Sequence, residues 1–354
     1  MKVIIITGSC GLIGSESVKF FSKKNYLIVG IDNNLRKYFF GKDGNTNWQL
    51  NNLKKIKNYV HYSCDIRDYK KLKDIFIKYN NKIISIIHCA AQPSHDWAAK
   101  EPLTDFGVNA VGTLNLLELT RLYAAKSSFI FLSTNKVYGD KPNQFSYVEK
   151  HKRFEPLNKK ILLNGIDETM SIDNSKHSVF GASKVAADIL VQEYGKYFNL
   201  KTVCFRGGCL TGPSHSGAQL HGFLSYLVKC CLKNIPYTMY GYKGKQVRDN
   251  IHSNDLVNMI WEFIKKPSKG EVFNVGGGRN NSCSILEAIS LIEELTKKKM
   301  KIVYSNKNRI GDHIWYITNL NKFKKKYPNW KIKYPLKKIF LEIINEQTKL
   351  INKN

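Results

Sequence analysis

Short apolar runs alternate with longer amphipathic segments along most of the chain. The runs are rich in β-branched residues and bounded by polar residues or glycine, as in strands buried on both faces of a parallel sheet. Strands are predicted at residues 3–6, 27–31, 59–63, 83–88, 129–132 and 201–205. Helical spacing between them predicts helices, of which two long ones cover residues 102–125 and 179–198. This alternation indicates an α/β fold with a doubly wound parallel sheet that binds ligands beyond the carboxyl ends of its strands.

The turn after the first strand carries the pattern of a dinucleotide-binding fingerprint. Glycines at positions 8, 11 and 14 would make a tight turn, admit a pyrophosphate to the backbone, and let the next helix pack closely. The helix that follows would point its N–H groups and positive dipole end at the phosphates. Asp32 ends the second strand, where a carboxylate can accept a hydrogen bond from a ribose 2′-hydroxyl. That acid repels a 2′-phosphate, so the sequence predicts a Rossmann sheet that binds NAD rather than NADP.

The second half of the chain is organised less regularly. We expect residues 135–176 to form an irregular segment that lines the active site, because it is too long for a plain connection. Strand and helix alternation also loosens after the sixth strand. We predict a NAD-binding Rossmann domain of residues 1–207 plus 246–278, and a smaller C-terminal substrate-binding lobe of residues 208–245 plus 279–354.

Composition narrows the setting in which the protein works. No apolar run of the 354 residues is long enough to span a bilayer, so we expect no membrane contact. The first strand is predicted to begin within the first three residues, so we expect no signal peptide. The eight cysteines lack metal-ligand spacing and lie mostly in apolar runs. These features predict a cytoplasmic protein with reduced cysteines and no metal site.

The formal net charge of +28 raises the question of a nucleic-acid partner. The lysines, however, are scattered in pairs and triplets on polar helix faces, and no basic arm or RNA-binding signature is present. We therefore interpret the charge as a solvated surface and expect no nucleic-acid partner. The same field would steer an anionic substrate towards the protein.

Several motifs along the whole chain resemble those of the extended short-chain dehydrogenase/reductase superfamily, and within it the nucleotide-sugar epimerases and dehydratases. They lie at residues 7–14, 65–66, 90–91, 108–113, 133–139, 184, 248–256 and 273–277. Residues 133–140 and 244–249 are most similar to epimerases of CDP-sugars. The resemblance implies a NAD cofactor, a nucleotide-diphosphate sugar substrate, and a homodimer or homotetramer built on the two long helices.

The fingerprint and the resemblance together assign residues to the two ligands. Cofactor contacts are expected from Gly8, Cys10, Gly11, Leu12, Ile13, Gly14, Asp32, Asn33, Asp65, Ile66, Ala90, Ala91, Gln92, Asn109 and Lys184. Substrate contacts are expected from Gln92, Asn135, Arg248 and Arg309. The two arginines suit a diphosphate because a guanidinium binds phosphate oxygens bidentately. The alternative is that they form surface pairs, Arg248 with Asp255 and Arg309 with Asp312.

The catalytic residues depart from the pattern that the resemblance implies. The family places a Ser or Thr at a strand end, here Thr134, and a Tyr four residues before a Lys on the next helix. The Lys holds the nicotinamide ribose and lowers the pKa of the Tyr, which then acts as the base. Lys184 is present, but Phe180 stands at the Tyr position and cannot carry a proton.

Two interpretations of Phe180 remain open. Either redox activity has been lost, or another group takes the proton, which is the interpretation we favour. The candidates are Lys184 itself, a water held by Thr134, His95 and Asp96 in the loop after the fourth strand, and Tyr138.

The residues after Thr134 separate two reactions of the family. Dehydratases carry acids there because elimination of water needs a general acid and base, whereas this chain has Asn135 and Lys136. The sequence therefore favours a NAD-dependent nucleotide-sugar epimerase. The alternatives are another NAD-dependent conversion of a nucleotide sugar, by dehydration or oxidoreduction, and a non-catalytic descendant that binds NAD or RNA.

Overall fold

A computed structural model describes residues 1–215, 217, 222–308 and 311–352 of the chain. Its strands are β1 Val3–Thr7, β2 Leu27–Ile31, β3 Tyr59–Tyr62, β4 Ile83–His88, β5 Ser128–Thr134, β6 Tyr147–Glu149, β7 Phe154–Pro156, β8 Lys201–Gly207, β9 Cys209–Thr211, β10 Tyr237–Tyr240, β11 Val247–His252, β12 Glu271–Val275, β13 Ser282–Ser284, β14 Ile302–Ser305 and β15 Trp315–Tyr316.

Helices connect the strands, and over residues 1–134 they alternate with the strands as the sequence predicted. They are α1 Leu12–Ser22, α2 Leu35–Gly44, α3 Asn47–Leu53, α4 Tyr69–Tyr79, α5 His95–Lys100, α6 Pro102–Phe106, α7 Gly112–Tyr123, α8 Lys159–Asn164, α9 Ser178–Tyr197, α10 Phe223–Lys233, α11 Ser253–Lys265, α12 Ile285–Thr296, α13 Asn321–Lys326 and α14 Leu336–Ile351. Over the described residues, no helix combines the length and apolar character needed to cross a membrane.

The chain divides into two compact units. The first comprises residues 1–137, 179–206 and 256–273, and the second comprises residues 138–178, 207–255 and 274–354. These boundaries differ from the predicted domains, since residues 138–178, 207, 246–255 and 274–278 group with the second unit. Hydrogen bonds within the second unit explain part of the difference, because Ile166 O accepts from Asn274 Nδ2 at 3.1 Å and Glu168 Oε1 accepts from Asn274 N at 2.6 Å.

The first unit is built around a seven-stranded parallel sheet in the order β12-β8-β5-β4-β1-β2-β3. This confirms the predicted α/β doubly wound fold. The direction of strand addition reverses between β1 and β4, which makes the carboxyl end of β1 the switch point where such sheets bind ligands. The core on one face of the sheet joins β-strand residues such as Ile5 and Phe129 to α4, α7 and α9.

One of the two long helices differs from the prediction. Between α6 and α7, residues Gly107–Val111 form a π-turn in which Gly112 N donates to Gly107 O. The predicted helix over 102–125 is therefore interrupted, and it ends at Tyr123. The extra residue of a π-turn changes where the following side chains point, and such turns are frequent at functional sites. Asn109 lies within this one.

The second unit contains short strands and a helical core. β11 pairs with β9, β13 and β15, while β10 pairs with β14. Apolar side chains of α10, α12 and α14 pack together, among them Leu227, Ile292 and Phe340. Residues 135–176, expected to be irregular, include the antiparallel pair β6–β7 and the helix α8. That expectation was wrong in part, because elements of this length show no measurable periodicity.

Candidate active site

The fingerprint turn has the close contacts that glycine permits. Gly8 has a φ of +64°, and a β-carbon there would lie 2.7 Å from Ala90 N. A β-carbon at Gly14 would lie 2.0 Å from Gly8 O, so α1 packs directly on the turn. Gly11 is the N-cap of α1 and provides no side-chain cap to the first turn, which begins at Leu12 and Ile13. The amide groups of this turn are therefore suited to a phosphate, as a dinucleotide requires.

Asp32 is fixed at the carboxyl end of β2 by two backbone amides. Its Oδ2 accepts from Cys10 N at 2.9 Å, and its Oδ1 accepts from Asn34 N at 2.8 Å. Both bonds fix the orientation of the carboxylate. A fixed carboxylate at this position fits the ribose of NAD, and the residues present therefore suit the predicted cofactor.

The next strand end adds a polar group beside Asp32. Asn33 Nδ2 donates to Asp65 Oδ2 at 3.0 Å, and Asp65 also pairs with Arg67 at 2.8 Å. Ile66 is buried, and a β-carbon at Gly112 would lie 2.6 Å from its side chain. The structure thus brings Asn33, Asp65 and Ile66 to the same sheet edge, and their direct cofactor contacts stay predictions.

A buried hydrogen-bond chain supports the loop after β4. Ala90 N donates to Thr7 Oγ1 at 3.2 Å, and that hydroxyl lies 2.7 Å from His88 Nδ1. His88 Nε2 lies 3.0 Å from the Thr113 hydroxyl, which donates to Asn109 O at 2.6 Å. Burial lowers the pKa of His88 to about 3, so the imidazole is neutral and serves this chain of hydrogen bonds.

Gln92 and Asn109 continue this network towards α9. Gln92 N donates to Asn109 Oδ1 at 3.0 Å, and Asn109 Nδ2 lies 3.1 Å from Ser183 Oγ. The Gln92 side chain is buried and bonds to Ser94 O and Asp105 Oδ1 at 2.8 and 2.7 Å. Gln92 therefore positions its own loop, and its predicted contacts with cofactor and substrate stay predictions. Ala91 lies beside it, partly buried.

Asp105 and Ser183 were missed by the sequence analysis. Asp105 is fully buried, and its Oδ1 accepts from Gln92 and from Asn109, the latter at 3.0 Å. Burial raises the pKa of its carboxyl group. The signal was present in the sequence, because Asp105 and Asn109 are four residues apart and so share one face of a helix. A carboxylate on an apolar helix face needs such partners.

Lys184 lies in α9 beneath the end of β5. Its side chain is 3% exposed, and its Nζ donates to Leu132 O at 2.9 Å. Burial lowers the pKa of the ammonium to about 8, although the charges of Asp188 and Asp105 oppose this shift. Thr134 ends β5, and its Oγ1 accepts from Lys136 N at 3.2 Å. The lowered pKa allows the amine to exchange a proton near neutral pH, and the Thr134 hydroxyl at the end of β5 is held in place.

Phe180 occupies the position expected for a tyrosine, one helical turn before Lys184. It is buried, and its ring meets the ring of His95 edge to face, with centroids 4.9 Å apart. His95 is partly buried at the start of α5, whereas Asp96 is exposed. An imidazole thus contacts the ring that replaces the phenol. Asn135, which follows Thr134, is buried with its Oδ1 3.5 Å from the Thr134 hydroxyl.

The second unit contains the predicted diphosphate-binding arginine. Arg248 donates to Val247 O at 2.7 Å and forms an ion pair with Asp312. This partner differs from the predicted alternative, Asp255, whose carboxylate accepts from the backbone N–H groups of Lys333 and Tyr334. Arg309 lies outside the described residues. Within the described ranges, no group of three or more His, Cys, Asp or Glu side chains could hold a metal ion.

Known proteins resemble this chain along most of its length. It is 33% identical over 305 residues to the CDP-paratose 2-epimerase of Salmonella typhi, covering 84% of this chain and 86% of the relative. It is 28% identical over 306 residues to the dTDP-glucose 4,6-dehydratase of Salmonella typhimurium, covering 83% of this chain and 78% of the relative. The structure of UDP-glucose 4-epimerase from Bifidobacterium longum, in complex with NAD+ and UDP, covers 100% of both chains with a TM-score of 0.80 and 22% identity, which shows a shared fold.

The match to a protein family covers both the fingerprint turn and the predicted catalytic residues. Residues 4–276 match the family described as the NAD dependent epimerase/dehydratase family, a range that includes Gly8, Asp32, Thr134 and Lys184. The match confirms the family resemblance and the NAD cofactor predicted from the sequence, and with them an enzyme. This chain belongs to the NAD dependent epimerase/dehydratase family.

Proposed function

We propose that the protein is an epimerase of a nucleotide-diphosphate sugar, and that a CDP-sugar is its substrate. The observation that carries this proposal is the buried Lys184 beneath the Thr134 strand end, in the sheet that holds the NAD fingerprint. The CDP-paratose 2-epimerase of Salmonella typhi supports the choice of CDP, since it matches at 33% identity.

Epimerisation needs a hydride acceptor, a base and a hydroxyl group that forms a hydrogen bond with the sugar. When bound, NAD supplies the hydride chemistry, taking a hydride from one sugar carbon and returning it to the opposite face. The Thr134 hydroxyl orients the sugar hydroxyl that loses its proton. Lys184 would hold the nicotinamide ribose, and its ammonium charge would stabilise the oxygen from which the proton departs.

His95 takes the proton in place of the missing phenol. Its ring contacts Phe180, whose position a tyrosine would occupy, and an imidazole exchanges protons near neutral pH. Lys184 is the second candidate, because burial lowers its pKa to about 8. Asp96 stays a predicted contributor beside His95. Replacing His95 with Gln should slow turnover about a hundredfold, within the range of one general base; full activity would transfer the role to Lys184.

Epimerisation is favoured over dehydration by the residues after Thr134. Elimination of water needs an acid and a base at the sugar, and Asn135 and Lys136 follow Thr134 in this chain. A dehydratase remains the second candidate, since the dTDP-glucose 4,6-dehydratase of Salmonella typhimurium matches at 28% identity.

The substrate's diphosphate is assigned to arginine. Arg248 is held in the second unit by Asp312, and a diphosphate would replace that carboxylate as its anionic partner. Arg309 is the second proposed contact.

The protein works in the cytoplasm as a homodimer or homotetramer, an assignment supported by its exposed apolar helix residues and its free cysteines.

The proposal is tested by incubating purified protein with CDP-, UDP- and GDP-sugars and following the sugars by NMR. The expected result is inversion of one ring carbon of a CDP-sugar, without net formation of NADH. Lys184→Met protein is the control, and its spectrum should stay that of the starting sugar. Loss of water from the sugar would identify a dehydratase. Release of NAD on heating, with no conversion of any sugar, would identify a non-catalytic binder.

A further inference from the structure

A tyrosine of β3 reaches the fingerprint turn across the intervening strand. Tyr59 begins β3, which β2 separates from β1 in the sheet. Its hydroxyl lies 2.9 Å from Ser9 Oγ, in the turn itself. The gap it passes through is Gly30 of β2, where a β-carbon would lie 2.3 Å from that hydroxyl and 2.7 Å from Ser9 Oγ. Any larger residue at position 30 would close the gap.

The contact sits next to the bond that orients Asp32. Ser9 is fully buried, and the following residue, Cys10, donates its N–H to Asp32 Oδ2 at 2.9 Å. At the other end, His61 Nδ1 lies 3.2 Å from the Tyr59 hydroxyl. The hydrogen bond from β3 therefore holds Ser9, whose neighbour Cys10 donates to the carboxylate that is predicted to bind the ribose.

The Tyr59 hydroxyl is suited to this position. Tyr59 is 8% exposed, and burial raises the pKa of its phenol, so the group stays neutral and can donate one hydrogen bond while it accepts another. Because Ser9 is buried, little water is available to replace the tyrosine as a partner. The turn would lose a fixed bond if the hydroxyl were removed.

We infer that Tyr59 is a positioning residue for the cofactor: through Ser9 it holds the Cys10 N–H on Asp32 and so sets both the affinity for NAD and the preference for NAD over NADP. This inference depends on NAD as the cofactor of the family and not on the proposed sugar reaction. Its test is therefore binding of the cofactor, which needs no turnover.

Tyr59→Phe tests the inference because it removes one oxygen and keeps the ring. Tyr62→Phe is the matched control, since Tyr62 lies on the same strand and its hydroxyl lies 3.0 Å from the Tyr79 hydroxyl instead. Dissociation constants for NAD and NADP are measured by titration calorimetry on the full chain. Tyr59→Phe should weaken NAD binding about two- to tenfold, which is the net effect of one hydrogen bond. It should also reduce the ratio of the NADP dissociation constant to the NAD dissociation constant. Tyr62→Phe should leave both constants unchanged.

Ser9→Ala extends the test to the other end of the bond. If the two hydroxyls act through each other, Ser9→Ala should weaken NAD binding as much as Tyr59→Phe does. The double variant should then bind NAD no more weakly than either single variant. Asp32→Ala marks the affinity reached when the carboxylate is absent. Wild-type NAD affinity in Tyr59→Phe or in Ser9→Ala would overturn the inference, as would an equal loss in Tyr62→Phe.

Discussion

Lys184 is the residue whose charge depends most on its surroundings. Its ammonium lies 4.1 Å from the centroid of the Phe131 ring and donates to Leu132 O. The groups that act on its charge are Asp188 on its own helix, Asp105 on α6, Cys204 on β8 and Cys89 after β4. Burial outweighs them and lowers the pKa from 10.5 to about 8. The amine is therefore close to its titration point under ordinary conditions.

This lowered pKa predicts a pH dependence of stability. Between pH 8 and 10.5 the unfolded chain binds a proton at Lys184 that the folded protein lacks. The free energy of unfolding therefore gains a positive slope with pH in that window, and below it the cost of burying the ammonium is present in full. Urea unfolding should give Lys184→Met a larger free energy of unfolding than the wild type at pH 7.5. The difference between the two should shrink towards pH 10.5. A constant difference would contradict this.

Phe180 gives a second prediction at the residue scale. If the site were a relic that has only lost its phenol, Phe180→Tyr would restore turnover, because Thr134 and Lys184 are in place. In our account the space beside Phe180 belongs to His95, so a new hydroxyl disturbs that contact. Burying it unpaired costs about 1–3 kcal/mol, so turnover should stay flat or fall.

The matched variant for that experiment is Lys184→Met. It should abolish turnover of a sugar substrate in both the Phe180 and the Tyr backgrounds. Steady-state rates measured by NMR compare all four proteins. Higher turnover in Phe180→Tyr would show that the chemistry had not been rebuilt around another base, and full activity of Lys184→Met would remove Lys184 from proton transfer.

At the scale of elements, β1, the fingerprint turn and α1 act as one unit. Gly14 lies in α1, where a β-carbon would meet Gly8 O at 2.0 Å. Gly14→Ala must therefore push α1 away from the turn, which should weaken NAD binding at least about tenfold. Gly107→Ala is the control, because the nearest atom to its β-carbon is the flexible Arg67 side chain at 3.4 Å. Calorimetric titration with NAD compares the two, and equal affinities would refute the packing argument.

The sequence predicted these elements where its signals were strong. The apolar runs and α9, predicted at residues 179–198 and observed at Ser178–Tyr197, have the predicted positions to within a few residues because their periodicity is long enough to measure. The helices and strands within residues 135–176 were not recognised, since β6 and β7 have only three residues each. Asp32 and Lys184 were found from fixed spacing. Tyr59 was not, because its contact with Ser9 depends on a gap at Gly30 that only the paired strands reveal.

At the scale of the whole molecule, the net charge and the exposed apolar side chains affect how the protein binds other molecules. The net charge of +28 would raise the local concentration of anionic substrates and make association depend on salt. The helices α7 and α9 expose apolar side chains, including Leu122 at 50% and Ile189 at 40%. Exposed apolar residues on neighbouring helices are typical of a subunit interface.

We therefore predict that the protein self-associates through these helices. Light scattering at micromolar concentration should give the mass of a dimer or tetramer, and Leu122→Glu should shift it to the monomer by placing a charge in the apolar contact. Leu341→Glu is the control, since Leu341 on α14 is 40% exposed and lies outside the proposed interface. A wild-type protein that stays monomeric, or equal masses for the two variants, would rule out this interface.

The central claim is that hydride leaves and returns to one carbon of a nucleotide sugar although Phe180 replaces the phenol. The most direct measurement is conversion of the preferred CDP-sugar in D2O, followed by NMR of the product. Our account predicts that the inverted carbon keeps its own hydrogen, because a hydride carried by bound NAD would not exchange with solvent. Deuterium at the inverted carbon would contradict the account, because that carbon would then have been inverted by removal and return of a solvent-exchangeable proton.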